Sequence, residues 1–337
     1  MSVVPYSSVV CRPWSLRAAP RLFLLVAAFV ALFASTSAAQ DTHLIVVSGV
    51  AGDPELANQY HQWAMKVIDA AKKKGIVDAN IAYLAENTEK DPAHIRARST
   101  RENVTKAFTD VAARARPNDE VFILLIGHGS FDGRQGAFNL PGPDLSAADY
   151  ADLLKKLATE RVVFVNTSSS SGAFLEPLAG PGRTIVTATK TGGERNDPRF
   201  AEYFIEALVT DEADRDRNGR VSVLEAFDYA KQKVQAAYEK EGHILTEHAT
   251  LEDGSQGKLA STLFLAPEGA RRADIAGVAD PAVRALLEQQ DALERQVAQL
   301  RLKKESMDPA QYEQQLEKLL TDLAVKTKEI RDREGKK

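Results

Sequence analysis

Val121-Phe122-Ile123-Leu124-Leu125-Ile126-Gly127-His128-Gly129-Ser130 is an unbroken apolar run that ends in a histidine held between two glycines. A run this continuous reads as a central strand covered on both faces, because a half-exposed strand would alternate apolar with polar residues. The pattern recurs further on. Val162-Val163-Phe164-Val165 runs into Asn166-Thr167-Ser168-Ser169-Ser170-Ser171-Gly172-Ala173-Phe174. Taken singly, each loop is an ordinary solvated turn. Together, two buried strands deliver a histidine and a cluster of hydroxyls to their carboxyl ends. That is where open parallel sheets gather their chemistry, and a base beside a hydroxyl is a nucleophile–base pair.

Working outward, short apolar runs alternate with amphipathic stretches from residue 42 to about 267. Leu44-Ile45-Val46-Val47 and the stretches 80–84, 184–188 and 262–265 read as further strands. Residues 54–73 carry Leu56, Tyr60, Trp63, Val67 and Ile68 at helical spacing, and Gly75 stops them. Residues 100–115, 144–157 and 199–209 read as helices. Strands separated by helices require right-handed crossovers. The expected class is therefore α/β: a three-layer αβα sandwich with a largely parallel sheet.

Of the 337 residues 27% are charged and 44% hydrophobic, which excludes collagen-like, low-complexity and wholly disordered chains. Residues 1–39 hold three arginines and no acid, an apolar run at 22–34, and the small residues Ser37-Ala38-Ala39. This pattern predicts a signal peptide, cleavage near Ala39 and a secreted or periplasmic protein. Thirteen apolar residues fall short of the ~20 needed to span a bilayer, so no stable membrane span is expected after cleavage. Without this leader the formal charge of −4 becomes −7. An acidic chain offers no electrostatic case for nucleic acid. The one cysteine, Cys11, lies in the leader, so the mature chain has no cysteine nucleophile, thiolate metal site or disulfide.

After Pro267 the texture changes. Val283, Gln290 and Val297 fit heptad a positions, with Leu286, Leu293 and Leu300 at d. Asp308-Pro309-Ala310-Gln311 reads as a fresh helix start, and Tyr312, Leu316, Leu319, Leu323 and Ile330 continue a second stripe. The domain plan is a signal peptide at 1–39, an α/β domain at 40–267 and a C-terminal helical hairpin or coiled-coil extension at 268–337. Helices this short are marginal alone. Self-association through them is one expectation.

The two loops also resemble those of the legumain family within the caspase-like cysteine peptidases. That family ends one apolar strand in His-Gly and another in Cys-x-Ser-Gly. Ile126-Gly127-His128-Gly129-Ser130 matches the first motif. Aligning Ser171-Gly172 with the family's Ser-Gly puts Ser169 where the cysteine stands, with Ser168, Ser170 and Thr167 as neighbours of the same kind. The resemblance spans about residues 43–266, including Thr100-Arg101-Glu102-Asn103-Val104 and Phe138-Asn139-Leu140-Pro141. It implies a caspase-like fold and a peptide or protein ligand, with His128 as acid–base and the backbone amides of Gly129 and Ser169 as oxyanion donors. It also implies losses. Ala51 falls where the family has an Asn that orients the histidine, and Ser170 where it has an acidic pocket residue. A hydroxyl needs a closely held base that a thiol does not, so Ser169 should cost several orders of magnitude in rate. The favoured expectation is an impaired peptidase that still binds peptides. An active endopeptidase using Ser169 and His128 is the alternative, and a calcium-stabilised assembly module is a third.

Asp214-x-Asp216-x-Asn218-Gly219-Arg220-Val221-Ser222-x-x-Glu225 fits a twelve-residue EF-hand loop. Asp214, Asp216, Asn218, Ser222 and Glu225 supply side-chain oxygens, Arg220 a backbone carbonyl, and Gly219 the turn. A structural Ca2+ is the expected cofactor. Three carboxylates crowded without metal should repel, so Glu225→Gln should leave the metal-free chain no less stable. No HExxH spacing supports a metal at His243, Glu247 and His248, and Asp197 reads as a helix cap.

Overall fold

The computed structural model describes residues 40–303 and 306–334. The expected signal peptide lies outside these residues. Seven strands form the main sheet: β1 (Thr42–Ser48), β2 (Ile81–Ala85), β3 (Ala97–Arg98), β4 (Glu120–Ile126), β8 (Val162–Asn166), β9 (Arg183–Thr187) and β10 (Thr250–Glu252). Their order is β10-β9-β8-β4-β1-β2-β3. All pairings are parallel except that of β10 with β9. Helices α1 (Pro54–Lys73), α2 (Arg101–Ala112), α3 (Ala147–Leu154), α4 (Leu175–Leu178), α5 (Phe200–Val209) and α6 (Val223–Glu241) make the crossovers.

Alternate strand residues face opposite layers, as the strand period of two requires. Leu44, Val46, Phe122, Leu124, Val163 and Val165 pack with Val67 and Ile68 of α1, Phe204 of α5 and Phe227 of α6. Ile45, Val47, Ile123, Leu125 and Phe164 pack with Phe108 of α2 and Tyr150 of α3. Both faces of β4 are therefore sealed, and every residue of it is buried. The three-layer arrangement follows from these two cores.

The chain departs from the sequence reading in three places. Residues 262–265 do not join the sheet: Ser222 and Phe264 form an isolated antiparallel bridge, and the sheet edge is taken by β10. A small antiparallel sheet of β5 (Gly129–Phe131), β6 (Gly136–Phe138) and β7 (Leu145–Ser146) follows the histidine loop. A further helix, α7 (Glu268–Gly277), precedes the hairpin of α8 (Pro281–Leu302) and α9 (Pro309–Glu334). Within the hairpin Val283, Gln290, Val297, Leu300, Tyr312 and Ile330 are buried, and Gln290 Nε2 donates to Thr327 Oγ1 across the two helices at 3.2 Å. Asp308 caps α9 by accepting from the Gln311 amide at 3.0 Å.

Candidate functional site

Strands β4 and β8 are adjacent and parallel, with Leu125 opposite Asn166. Their exits therefore lie side by side, and Gly129, the neighbour of His128, meets Ser169. The glycine after the histidine is there for closeness. A Cβ on Gly129 would lie 2.3 Å from the Ser169 carbonyl oxygen and 2.6 Å from Ser168 Oγ. Only glycine lets the two loops touch.

The hydroxyls of residues 167–171 have separate assignments. Thr167 Oγ1 donates to the Leu125 carbonyl at 2.8 Å, and Ser168 Oγ donates to Asn166 Oδ1 at 2.7 Å. Ser171 Oγ pairs with Thr189 Oγ1 at 3.2 Å. Ser170 is buried with φ +57° and its Oγ has no partner among the described residues. Ser169 hydrogen-bonds to the residue that follows the histidine. Its hydroxyl donates to the Gly129 carbonyl at 3.1 Å and accepts from the Gly129 amide at 3.3 Å. The Gly129 amide, expected to serve an oxyanion, is thus turned toward the serine oxygen.

His128 has partners at both ring nitrogens. Nδ1 lies 2.9 Å from Asp197 Oδ1, and Nε2 lies 3.3 Å from the Tyr60 hydroxyl. The Tyr60 and His128 rings meet edge to face at 6.1 Å, and Tyr60 stacks on Trp63. Burial, then Asp197 and Asp53, push the Tyr60 phenol well above its ordinary range, so it stays protonated.

Two expectations are corrected here. Ala51 is buried in the core and its amide donates to Glu86 Oε2 at 3.2 Å, yet His128 does not lack an orienting carboxylate. Asp197 supplies it, from the loop before α5. Asp197 is not a helix cap. The N-terminus of α5 is instead held by Glu247, whose two oxygens accept from the Arg199 amide at 2.9 Å and the Phe200 amide at 3.2 Å. Burial raises the Glu247 pKa, while those amides oppose the rise. His248 Nδ1 pairs with Glu194 at 3.2 Å, and His243 with Glu241.

The EF-hand-like loop lies beyond the other end of α5. One carboxylate oxygen each from Asp214, Asp216 and Glu225 falls within 4.8 Å of the others. Gly219 and Arg217 take the positive φ values that turn the loop. Asp214 accepts from the amides of Asn218 and Gly219, at 3.0 and 2.8 Å. Asn218 Oδ1 accepts from the Arg220 amide at 2.9 Å. Ser222 and Glu225 form a reciprocal capping box at the start of α6. Glu225 accepts from Ser222 through one oxygen and from the Arg215 and Asp216 amides through the other. These bonds argue against the expectation that Glu225→Gln leaves the metal-free chain no less stable, because an amide group can satisfy only one of the two sets. Burial, Glu225 and Asp214 push Asp216 up to about 6. Arg271 of α7 donates to the Asn218 carbonyl at 2.9 Å and pairs with Asp291 at 3.3 Å, tying the loop to the hairpin.

A family model described as the Peptidase C13 family matches residues 33–251. No curated protein matches the chain. The match covers both strand exits.

Proposed function

The chain belongs to the Peptidase C13 family, the legumain family, and from that membership and the cleft geometry we propose that it is an exported peptide-binding relative whose hydrolytic power is impaired. The observation that carries this reading is the Ser169 hydroxyl, which exchanges hydrogen bonds with the Gly129 backbone instead of donating to His128. A serine nucleophile needs its proton directed at the base. Asp197, largely exposed, would still accept hydrogen bonds from the N–H groups of a ligand. Residues 1–39 would direct the protein to the periplasm or the medium and be removed.

The purified mature chain, tested on a peptide library beside Ser169→Cys and His128→Ala, decides the matter. Binding without turnover in the wild type, with turnover appearing in Ser169→Cys, supports the reading. Robust wild-type hydrolysis that Ser169→Ala abolishes replaces it with an active serine endopeptidase. A structural Ca2+ in the 214–225 loop is the second part of the proposal. It is supported by the converging carboxylates of Asp214, Asp216 and Glu225, with Asn218, Ser222 and the Arg220 carbonyl completing an oxygen set suited to calcium. An apo protein whose melting temperature is indifferent to calcium would remove it.

A further inference from the structure

We infer that Tyr60 is a positioning residue that donates to His128 Nε2, in the tautomer Asp197 sets, and so keeps that lone pair from Ser169. The inference rests on the reading of the cleft as a peptidase site, and it concerns what restrains that site.

The argument begins with the ring. A neutral imidazole has one N–H and one lone pair, and the partner of one nitrogen fixes the role of the other. Asp197 Oδ1, a carboxylate acceptor 2.9 Å away, demands that Nδ1 carry the proton. Nε2 is then an acceptor, and the group beside it is the Tyr60 hydroxyl at 3.3 Å. Tyr60 sits on α1 and is 6% exposed, with its ring fixed between Trp63 and the edge of His128. A buried phenol aimed at an imidazole lone pair donates to it. The lone pair that would accept the serine proton is thus already used.

The serine side agrees independently. Ser169 is 4% exposed and its proton is directed at the Gly129 carbonyl. Base and hydroxyl stand at neighbouring strand exits, each hydrogen-bonded elsewhere. Coupling them requires Tyr60 to release Nε2 and Ser169 to leave the Gly129 carbonyl. The loss of the thiol is therefore not the only brake on this site.

The test reads the ring itself. Residues 40–337 labelled with 15N-histidine give two-bond proton–nitrogen spectra, and His128→Ala assigns the resonances among the six histidines. The expected wild-type pattern is the Nδ1–H tautomer with a hydrogen-bonded Nε2. Tyr60→Phe should move the Nε2 resonance toward that of an unbonded nitrogen. A second reading uses Ser169→Cys, since the mature chain has no other cysteine. Iodoacetamide alkylation at about pH 6.5 should be ~10-fold faster in Tyr60→Phe/Ser169→Cys than in Ser169→Cys, because the freed Nε2 can pair with the thiol. An Nε2–H tautomer in the wild type overturns the inference without any variant. So do unchanged His128 resonances in Tyr60→Phe, or equal alkylation rates. Neither measurement uses peptide hydrolysis. A chain inert to every peptide but with the expected spectra would count against the peptidase reading alone.

Discussion

Replacing Glu225 by glutamine should separate the two roles of one carboxylate. Without metal, Glu225 holds Ser222 through one oxygen and the amides of Arg215 and Asp216 through the other. Glutamine keeps one acceptor and turns an NH2 against the remaining donors, which costs about 1–3 kcal/mol. Relief of repulsion with Asp214 and Asp216 offsets part of this. The metal-free variant should therefore melt a few degrees below the wild type. With calcium the sign of the comparison widens. At about 10 mM ion and a dissociation constant of ~10⁻⁴–10⁻³ M, mass action adds about 1.4–2.7 kcal/mol to the wild type. That is a rise of at least roughly 2–5 °C for a chain of this size. Glu225→Gln, lacking the bidentate anchor, should show almost none of it, and magnesium should do less than calcium in both. Differential scanning calorimetry with chelator, calcium and magnesium arms measures each of these shifts. Equal calcium shifts in wild type and variant would refute the reasoning and leave the loop a capped turn.

Three further outcomes follow from the same geometry. Wild-type peptide hydrolysis should be at or near background, and Ser169→Cys should raise it measurably in a fluorogenic assay; a variant no more active than wild type means the pocket, and not only the nucleophile, is lost. Ser170 is buried at φ +57°, so Ser170→Gly should exceed Ser170→Ala in stability by about 1 kcal/mol, the reverse of the usual order, as urea melts would show. Glu120, fully buried, is pushed up from the ordinary 4.5 to about 7 by burial, against the pull of Arg161 and Arg220. Below pH 4.5 both folded and unfolded chains hold this proton. Between 4.5 and 7 only the folded chain does, so stability falls as pH rises, by up to about 3 kcal/mol. Glu120→Gln should flatten much of that slope in melts taken across pH 4–8, leaving the part due to Glu294, also pushed up to about 7.

The sheet was legible because its central strands have no polar face to confuse the pattern. Val121–Ile126 and Val162–Val165 could only be buried, and burying them on both sides dictates the three layers. The short edges were not legible. Strand β10 is three residues long with one apolar side chain, and its existence depends on β9 offering an open edge. Residues 262–265 carry a strand-like pattern, yet their partner is Ser222 in the EF-hand-like loop, a choice that no local signal encodes. The site divides the same way. His128 and Ser169 stand at the ends of readable strands. Asp197 and Tyr60 reach the histidine across 69 and 68 residues of chain. Tyr60 occupies a core-facing position of an amphipathic helix, so its pattern announces only packing. A hydroxyl on an otherwise apolar stripe was the available signal, and a buried tyrosine is obliged to find a partner.

Position along the sheet separates what this chain can do at its two ends. Glu120 opens β4 and His128 follows its close, and seven strand residues span about 23 Å. Around Glu120 lies a cavity of about 340 Å³ lined by Arg161, Arg220, Asp216 and, from the hairpin, Asp291 and Glu294. The EF-hand-like loop, α7 and the hairpin thus gather at the amino ends of the strands, while His128 and Ser169 lie at the carboxyl ends. One element joins them. Helix α5 begins just after Asp197, is capped by Glu247 from a distant loop, and ends just before Asp214. It packs against α6 through Phe200 and Phe227. A loop perturbation confined to fraying around Asp214 should therefore change stability and leave the His128–Asp197 contact intact. A perturbation that shifts α5 along its axis is transmitted toward both ends, because the loops that flank the helix carry Asp197 on one side and Asp214 on the other.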